Sequence, residues 1–257
     1  MTYAMIEDAI SAMGRGEILV VVDDADREDE GDLIFAAETA TPEKVGFMVR
    51  HTSGVLCTTL TGERVEELSL PPMVAKNADS REALRSASAF TISVDYKRGT
   101  GTGVSASDRA ATIRALSDPR IGASDFARPG HVFPLRARDG GVLARPGRTE
   151  AASDLARLAG LKPYGVLCEL VEEDGSMAKR PALLRFAHDH GLLITTTADL
   201  VAHRKRTERW VVPVAEALLP TRHGTFKARV YHSELEGVEH IALFMGNLEK
   251  ADDVPVR

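Results

Sequence analysis

The segment "ILVVVDDADREDEGDLIFAA" constrains this chain more than any other. Its two apolar runs, one ending at Val22 and the other starting at Leu33, each read as a buried strand. Between Asp23 and Asp32 lie seven carboxylates and one arginine, a net charge of -6 in ten residues. The chain as a whole has 32 basic and 38 acidic residues, which leaves 31 of each sign outside this segment. The acidity is therefore local. Close like charges raise one another's pKa and destabilise a fold unless a cation compensates. Arg27 offsets one carboxylate, and a divalent ion offsets more, because oxygen-rich sites suit Mg²⁺, Mn²⁺ or Ca²⁺. An EF-hand loop does not fit: with Asp26 as first ligand, Gly31 falls sixth but Ala37 falls twelfth, and strands rather than helices flank the loop. The segment reads as an open carboxylate site with room for a ligand.

Composition narrows the function classes. A remainder balanced in charge argues against nucleic acid as a partner, which would favour a basic face. Cys57 and Cys168 both sit in apolar runs, as buried thiols do in a reducing cytoplasm. No apolar stretch approaches the ~18–20 residues of a membrane span, and "MTYAMIEDAI" lacks the form of a secretory signal. A cytoplasmic globular protein without membrane partners is expected. At 257 residues with 44% hydrophobic content, the chain can bury one substantial core and a small appendage.

The periodicity predicts a helix around Ile6–Met13 stopped by Gly14 and Gly16, and a helix capped by Thr41 with Pro42 in its first turn. It also predicts strands in "GVLCTTL" and "FTISVD", and a helix in "SASDRAATIRALS". A further helix in "TEAASDLARLAG", with Thr149 as its cap, precedes a strand in "YGVLCELV". A helix around Arg180–His190, the strand "LLITT" and a helix near Ala198–Lys205 follow. Strands and helices interleave without βαβ regularity, so the expected class is a layered α/β (α+β) sandwich rather than a doubly wound sheet. Beyond about Arg209 the pattern changes to strand candidates at Phe226–Tyr231 and His240–Met245. The expected organisation is a domain over 1–208 and a mostly β appendage over 209–257.

Two further clusters bear on chemistry. Arg128–Ala152 carries five arginines, His131 and several glycines, and ends at a helix start, where backbone amides and arginine forks bind anions. Lys97–Arg109, "KRGTGTGVSASDR", is a second glycine-rich turn opening a helix. Each alone reads as an ordinary loop. Beside a carboxylate cluster, the pair suggests a small phosphorylated, polyhydroxylated substrate handled by acid–base steps beside a metal.

The stretches "DDADREDEGDLIFAAE", "GTGVSASDR", "RPGHVFPLRARDGGVL", "TEAASDLARLAGLKPYGVLCEL" and "DGSMA" together resemble the 3,4-dihydroxy-2-butanone 4-phosphate synthase family over about Ile6–Arg206. "AEALLPTRHGTFKARVY" and "EHIALFMG" resemble the opening of GTP cyclohydrolase II. The cysteines of that second family's zinc site have no counterpart after Cys168, so no cyclohydrolase activity is expected of these residues. The first resemblance implies the layered fold of that synthase type and conversion of D-ribulose 5-phosphate to 3,4-dihydroxy-2-butanone 4-phosphate and formate, a lyase step of riboflavin biosynthesis. It implies Mg²⁺ (or Mn²⁺) as cofactor and a homodimer with its site at the subunit interface. By motif, Glu28 corresponds to a metal ligand. Arg27 and Asp32 correspond to substrate contacts, Asp32 also moving protons. Thr102 and the run Arg145, Gly147, Arg148 and Thr149 correspond to phosphate and substrate contacts. His131 and Glu169 correspond to the residues needed for catalysis, Glu169 also meeting substrate.

Three departures fall on or near the site. The family motif Arg-x-Gly-His-Thr-Glu, whose His is a metal ligand, reads "RPGRTE" here, with Arg148 at the His position. A guanidinium stays protonated and has no lone pair, so Arg148 cannot ligate. Ala25 stands where the family has an acid, and "ASAF" (Ala87–Phe90) follows a longer loop than usual. Three outcomes stay open: activity kept with Mg²⁺ held at reduced affinity by Glu28, Asp32 and water, Arg148 taking over charge neutralisation for a related enolisation or dehydration, or an inactive paralogue acting as a partner or regulatory subunit.

Overall fold

The structure, a computed structural model, describes residues 3–24, 29–74, 89–235, 237–246 and 248. The chain forms two compact units, Met1–Arg204 and Lys205–Arg257. In the first, described strands β1 (Leu19–Val22), β2 (Gly31–Ala36), β3 (Cys57–Leu60), β4 (Ala89–Phe90), β5 (Val94–Tyr96), β6 (Phe126–Arg136), β7 (Gly165–Glu169) and β8 (Leu193–Thr196) make one mixed sheet. Its order is β4-β6-β3-β7-β2-β1-β8, with β5 paired to β6. The β1–β2 and β2–β7 pairs are antiparallel, whereas β3–β6 and β1–β8 are parallel.

Strand residues alternate between two cores because successive side chains leave opposite faces of a sheet. Val20, Val22, Leu33, Phe35 and Val166 pack with α2 (Pro42–His51), α4 (Ala106–Ser117) and α6 (Arg180–Asp189). Leu19, Val21, Ile34, Ala36 and Leu167 pack with α1 (Ile6–Gly14), α5 (Arg148–Leu158) and α7 (Thr197–Thr207). Both faces are covered, giving the layered α/β arrangement expected, with α3 (Gly62–Glu67) as an additional short helix. Each fully buried aliphatic side chain contributes roughly 1.5–3 kcal/mol to such a core.

The helix signals worked where they had a local mechanism. Thr41 Oγ1 accepts from the Lys44 amide at 3.4 Å, and Ser105 Oγ accepts from the Asp108 amide at 3.0 Å. The expected cap Thr149 is a correction: α5 starts at Arg148 with Gly147 as its N-cap, so Thr149 lies inside the first turn. "FTISVD" is not one strand but two short pieces, β4 and β5, both laid against β6. β6 itself replaces what reads as an anion-binding loop. Pro129, Gly130 and Pro134 weaken its strand signal, yet pairing with β3 on one side and β4 and β5 on the other holds it extended.

The second unit has β9 (Val211–Thr221), β10 (Gly224–Ser233) and β11 (Val238–Phe244) in an antiparallel sheet ordered β11-β10-β9. β10 and β11 contain or overlap the two expected strands. β9 was not expected, because Pro213 and Pro220 argue against a strand; its edge position tolerates them.

Candidate active site

The sheet's period of two gathers the site. Asp32 lies two residues before Ile34 on β2, and Glu169 two residues after Leu167 on β7, so both share the face covered by α5. Asp32 and Glu169 are register partners across the β2–β7 ladder. Asp23 follows Val21 on the same face, and its amide bonds the Glu30 carbonyl at 2.9 Å, closing the β1–β2 end of the sheet.

Helix α5 supplies the opposing charge. It lies close against β7: a Cβ on Gly165 would meet Ala152 Cβ at 2.6 Å, so a larger residue there would lift the helix. Ser153 Oγ donates to Thr59 Oγ1 at 2.7 Å, fixing the helix over β3. Arg148, the first residue of α5, consequently reaches down onto the carboxylates. Its Nε is 2.8 Å from Asp32 Oδ2, its Nη1 is 3.3 Å from Asp23 Oδ2, and its Nη2 is 3.6 Å from Glu30 Oε2. Glu30 also meets Lys179 at 3.2 Å. The Arg148 side chain retains only 9% of its exposure, and Asp32 is fully buried.

A cavity of about 150 Å³ opens over this arrangement, lined by Asp23, Asp32, Arg145, Arg148, Thr149 and Glu169 among others. Val55, Phe90, Leu135 and Leu167 give it an apolar side. Burial drives the Asp32 carboxyl up to about 7; Arg148 pulls the other way, and Glu169 and Glu30 add to the rise. Asp32 Oδ1 is buried without a hydrogen-bond partner among the described residues. A carboxyl group that exchanges its proton near neutrality, with one oxygen unpaired, can act as acid or base on a ligand in the cavity. Cys57 and Cys168 also line it, but burial pushes both thiols up, away from the thiolate form a nucleophile needs.

Of the residues expected at the site, Asp32, Arg145, Gly147, Arg148, Thr149 and Glu169 line this one cavity. Arg145 is engaged with the buried Glu150 at 3.1 Å, so it braces the loop before α5. Arg27 and Glu28 lie outside the described residues. Thr102 and His131 do not line the cavity. His131 is on β6, where Asp95 bonds its amide at 2.9 Å and its Nδ1 at 2.7 Å. The turn holding Thr102 is organised around Asp108, whose Oδ2 accepts from the amides of Gly101 and Gly103. Those amides are thus used internally rather than left open for an anion. Asp23, Asp95 and Glu150 were not singled out in the sequence. Asp23 carried a signal in its place at the end of β1, two residues past Val21, whereas Asp95 lies 36 residues from His131 and carried none.

A divalent ion needs carboxylate oxygens converging on one point at about 2.0–2.6 Å. Here the guanidinium of Arg148 holds that ground, and among the described residues no group of three or more His, Cys, Asp or Glu is placed to bind a metal. The described residues do not fit a divalent ion at this point.

Comparison with known proteins bears on the whole arrangement. The family model described as 3,4-dihydroxy-2-butanone 4-phosphate synthase matches residues 7–203, and that of GTP cyclohydrolase II matches residues 212–257. The chain is 57% identical over 256 residues to the riboflavin biosynthesis protein RibBA of Salinispora arenicola, covering 100% of this chain and 60% of that protein. It is 54% identical to the RibBA of Mycobacterium marinum, covering 98% of this chain and 60% of the relative. The chain thus spans about 60% of the length of these curated relatives. Among solved structures, it resembles RibBX, a two-domain synthase from A. baumannii, with TM-score 0.85 and 39% identity over 96% of this chain and 72% of the other. It also resembles a synthase in complex with two magnesium ions, with TM-score 0.73 and 46% identity over 80% of this chain and 98% of the other. With nearly all of the first unit matched, this chain belongs to the 3,4-dihydroxy-2-butanone 4-phosphate synthase family.

Proposed function

We propose that the chain converts D-ribulose 5-phosphate to 3,4-dihydroxy-2-butanone 4-phosphate and formate, as a lyase of riboflavin biosynthesis. Family membership supports the reaction class. The observation that carries it to this chain is Asp32: a buried carboxyl at about 7, held between Arg148 and Glu169 at a cavity wall. Such a group removes a proton from a carbon next to a carbonyl and returns it during dehydration. Glu169, directly opposite, is a second carboxylate within the same cavity for a proton on a neighbouring hydroxyl. Arg148 offsets the negative charge that builds on the enediol oxygens. The lip formed by Gly147 and Thr149, at the start of α5, is suited to the phosphate. A solved relative binds magnesium.

The placement of His131 and Thr102 away from the cavity supports a homodimer in which one subunit's His131 completes its partner's site. The division into 1–208 and 209–257 is taken as a synthase-like domain followed by a cyclohydrolase II-like segment. The free, buried cysteines fit a cytoplasmic location. The test is formate release from ribulose 5-phosphate, coupled to formate dehydrogenase. Absence of formate at any substrate concentration would overturn the assignment. Mixing Asp32→Asn with His131→Ala subunits tests the shared site, since hybrid dimers regain turnover only if the two residues act across subunits.

A further inference from the structure

We propose that Arg148 is the built-in cation of this pocket: it excludes a divalent metal from the carboxylates it holds and itself faces the oxygens of the bound sugar phosphate. This deepens the reading above and rests on it for the nature of the ligand, but not for the exclusion of metal. Three different guanidinium nitrogens reach three different carboxyl groups, on Asp32, Asp23 and Glu30, so the charge sits where those side chains converge. A metal bound to the same oxygens would lie within a few ångströms of the guanidinium. Arginine cannot relieve that repulsion by losing its proton, as a histidine can. Nor can Arg148 readily step aside. It is the first residue of α5, nearly enclosed, and its departure would take the guanidinium from Asp23 and Asp32, each only 2% exposed. Among the described residues, other nearby cations are engaged elsewhere, Arg145 with Glu150, Lys179 with Glu30 and Arg180 with Asp29.

Asp32 Oδ1, without a hydrogen-bond partner among the described residues, marks what remains available to a ligand. With Oδ2 held by Arg148, Oδ1 is the oxygen that can accept a substrate hydroxyl or proton, while the guanidinium stands beside it as a donor. The pocket therefore presents an adjacent acceptor and a permanent donor. A polyhydroxylated, anionic ligand satisfies both, and a bare divalent ion satisfies only one.

Binding of Mn²⁺ to the full chain, read by electron paramagnetic resonance, tests the proposal without reference to turnover. The wild type is expected to show no saturable binding below millimolar Mn²⁺. Arg148→His and Arg148→Ala are expected to bind at least about tenfold more tightly, while Arg148→Lys, which keeps the charge, stays like the wild type. Saturable micromolar binding to the wild type that Asp32→Asn removes would overturn the proposal, and needs no folded Arg148 variant. Tight binding by Arg148→Lys would overturn it too. Formate release in chelator separates the two readings. Turnover that persists supports both. Absence of formate both with and without chelator, in an enzyme that binds no Mn²⁺, rejects only the synthase assignment, and turnover that tracks Mn²⁺ occupancy rejects only the role of Arg148.

Discussion

Asp32 and Glu169 stand directly opposite each other on β2 and β7, two carboxyl groups projecting from one face of the sheet at the floor of a cavity. Like charges in opposed strand positions destabilise a sheet. The pair persists because Arg148 bonds one member and because Asp32 retains its proton to a higher pH than an ordinary carboxyl.

That proton makes stability depend on pH. Asp32 is raised from 3.8 to about 7, so its contribution is fully present below about pH 4 and is lost as pH rises through 7. The loss is on the order of 2–4 kcal/mol. Burial raises Glu150 and Asp154 as well, which adds to the same trend. Urea unfolding at pH 5 and pH 8 should show lower stability at pH 8, and Asp32→Asn should shrink the difference without abolishing it. An unchanged difference in that variant would place the titration elsewhere.

The same group should govern turnover. Formate release by Asp32→Asn is expected to fall about 100-fold or more, with a smaller change in substrate affinity. In the wild type, kcat/KM should rise with pH through an apparent value near 7, as the carboxylate forms. A profile flat from pH 6 to 8 counts against Asp32 as the base.

Removing Arg148 takes a buried guanidinium away from two buried carboxylates. Arg148→Ala is expected to lose about 3–5 kcal/mol at pH 7.5, the usual effect of breaking a buried pair from one side. Arg148→Lys should lose less, since an ammonium keeps the charge but not the three-way fork. Thermal unfolding with and without Mn²⁺ extends the measurement: the ion should recover part of the loss in Arg148→Ala and none in the lysine variant.

Asp95 is expected to position His131. The two meet through both the backbone amide and the ring of His131. The close approach of β5 to β6 depends on Gly130, where a Cβ would lie 2.0 Å from the Val94 carbonyl carbon. Asp95→Asn should lower formate release about tenfold or more in the wild type, and have little further effect on His131→Ala. Independent effects in that double-mutant cycle would mean that Asp95 acts on something other than His131. Gly130→Ala should lower both activity and stability, because the atoms it meets are backbone and cannot turn aside.

Much of the fold was legible because its signals are local. Thr41 and Ser105 cap helices by hydrogen bonds within three residues, and Pro42 fits the first turn of α2. β6 and β9 were not legible. Their prolines and glycine argue against strands, and only pairing with neighbours distant in sequence holds them extended. The cap of α5 was misplaced by two residues: Thr149 is an ordinary cap by composition, but the helix starts at Arg148 from Gly147, which offers no side chain to signal it.

By itself, the sequence determined that the chain concentrates its negative charge at the end of a core strand, that a glycine- and arginine-rich run leads into a helix, and that Asp32, Glu169 and the Arg145–Thr149 run belong to one family pattern. These are properties of composition and order along the chain. Only the tertiary structure decided that the charge is answered from within. Arg148 meets Asp32 across 116 residues and Asp23 across 125, because α5 crosses the sheet face on which both carboxylates stand. No local rule foretells such a meeting. It depends on strand register, which sets the face of each side chain, and on the close seat of α5 over Gly165.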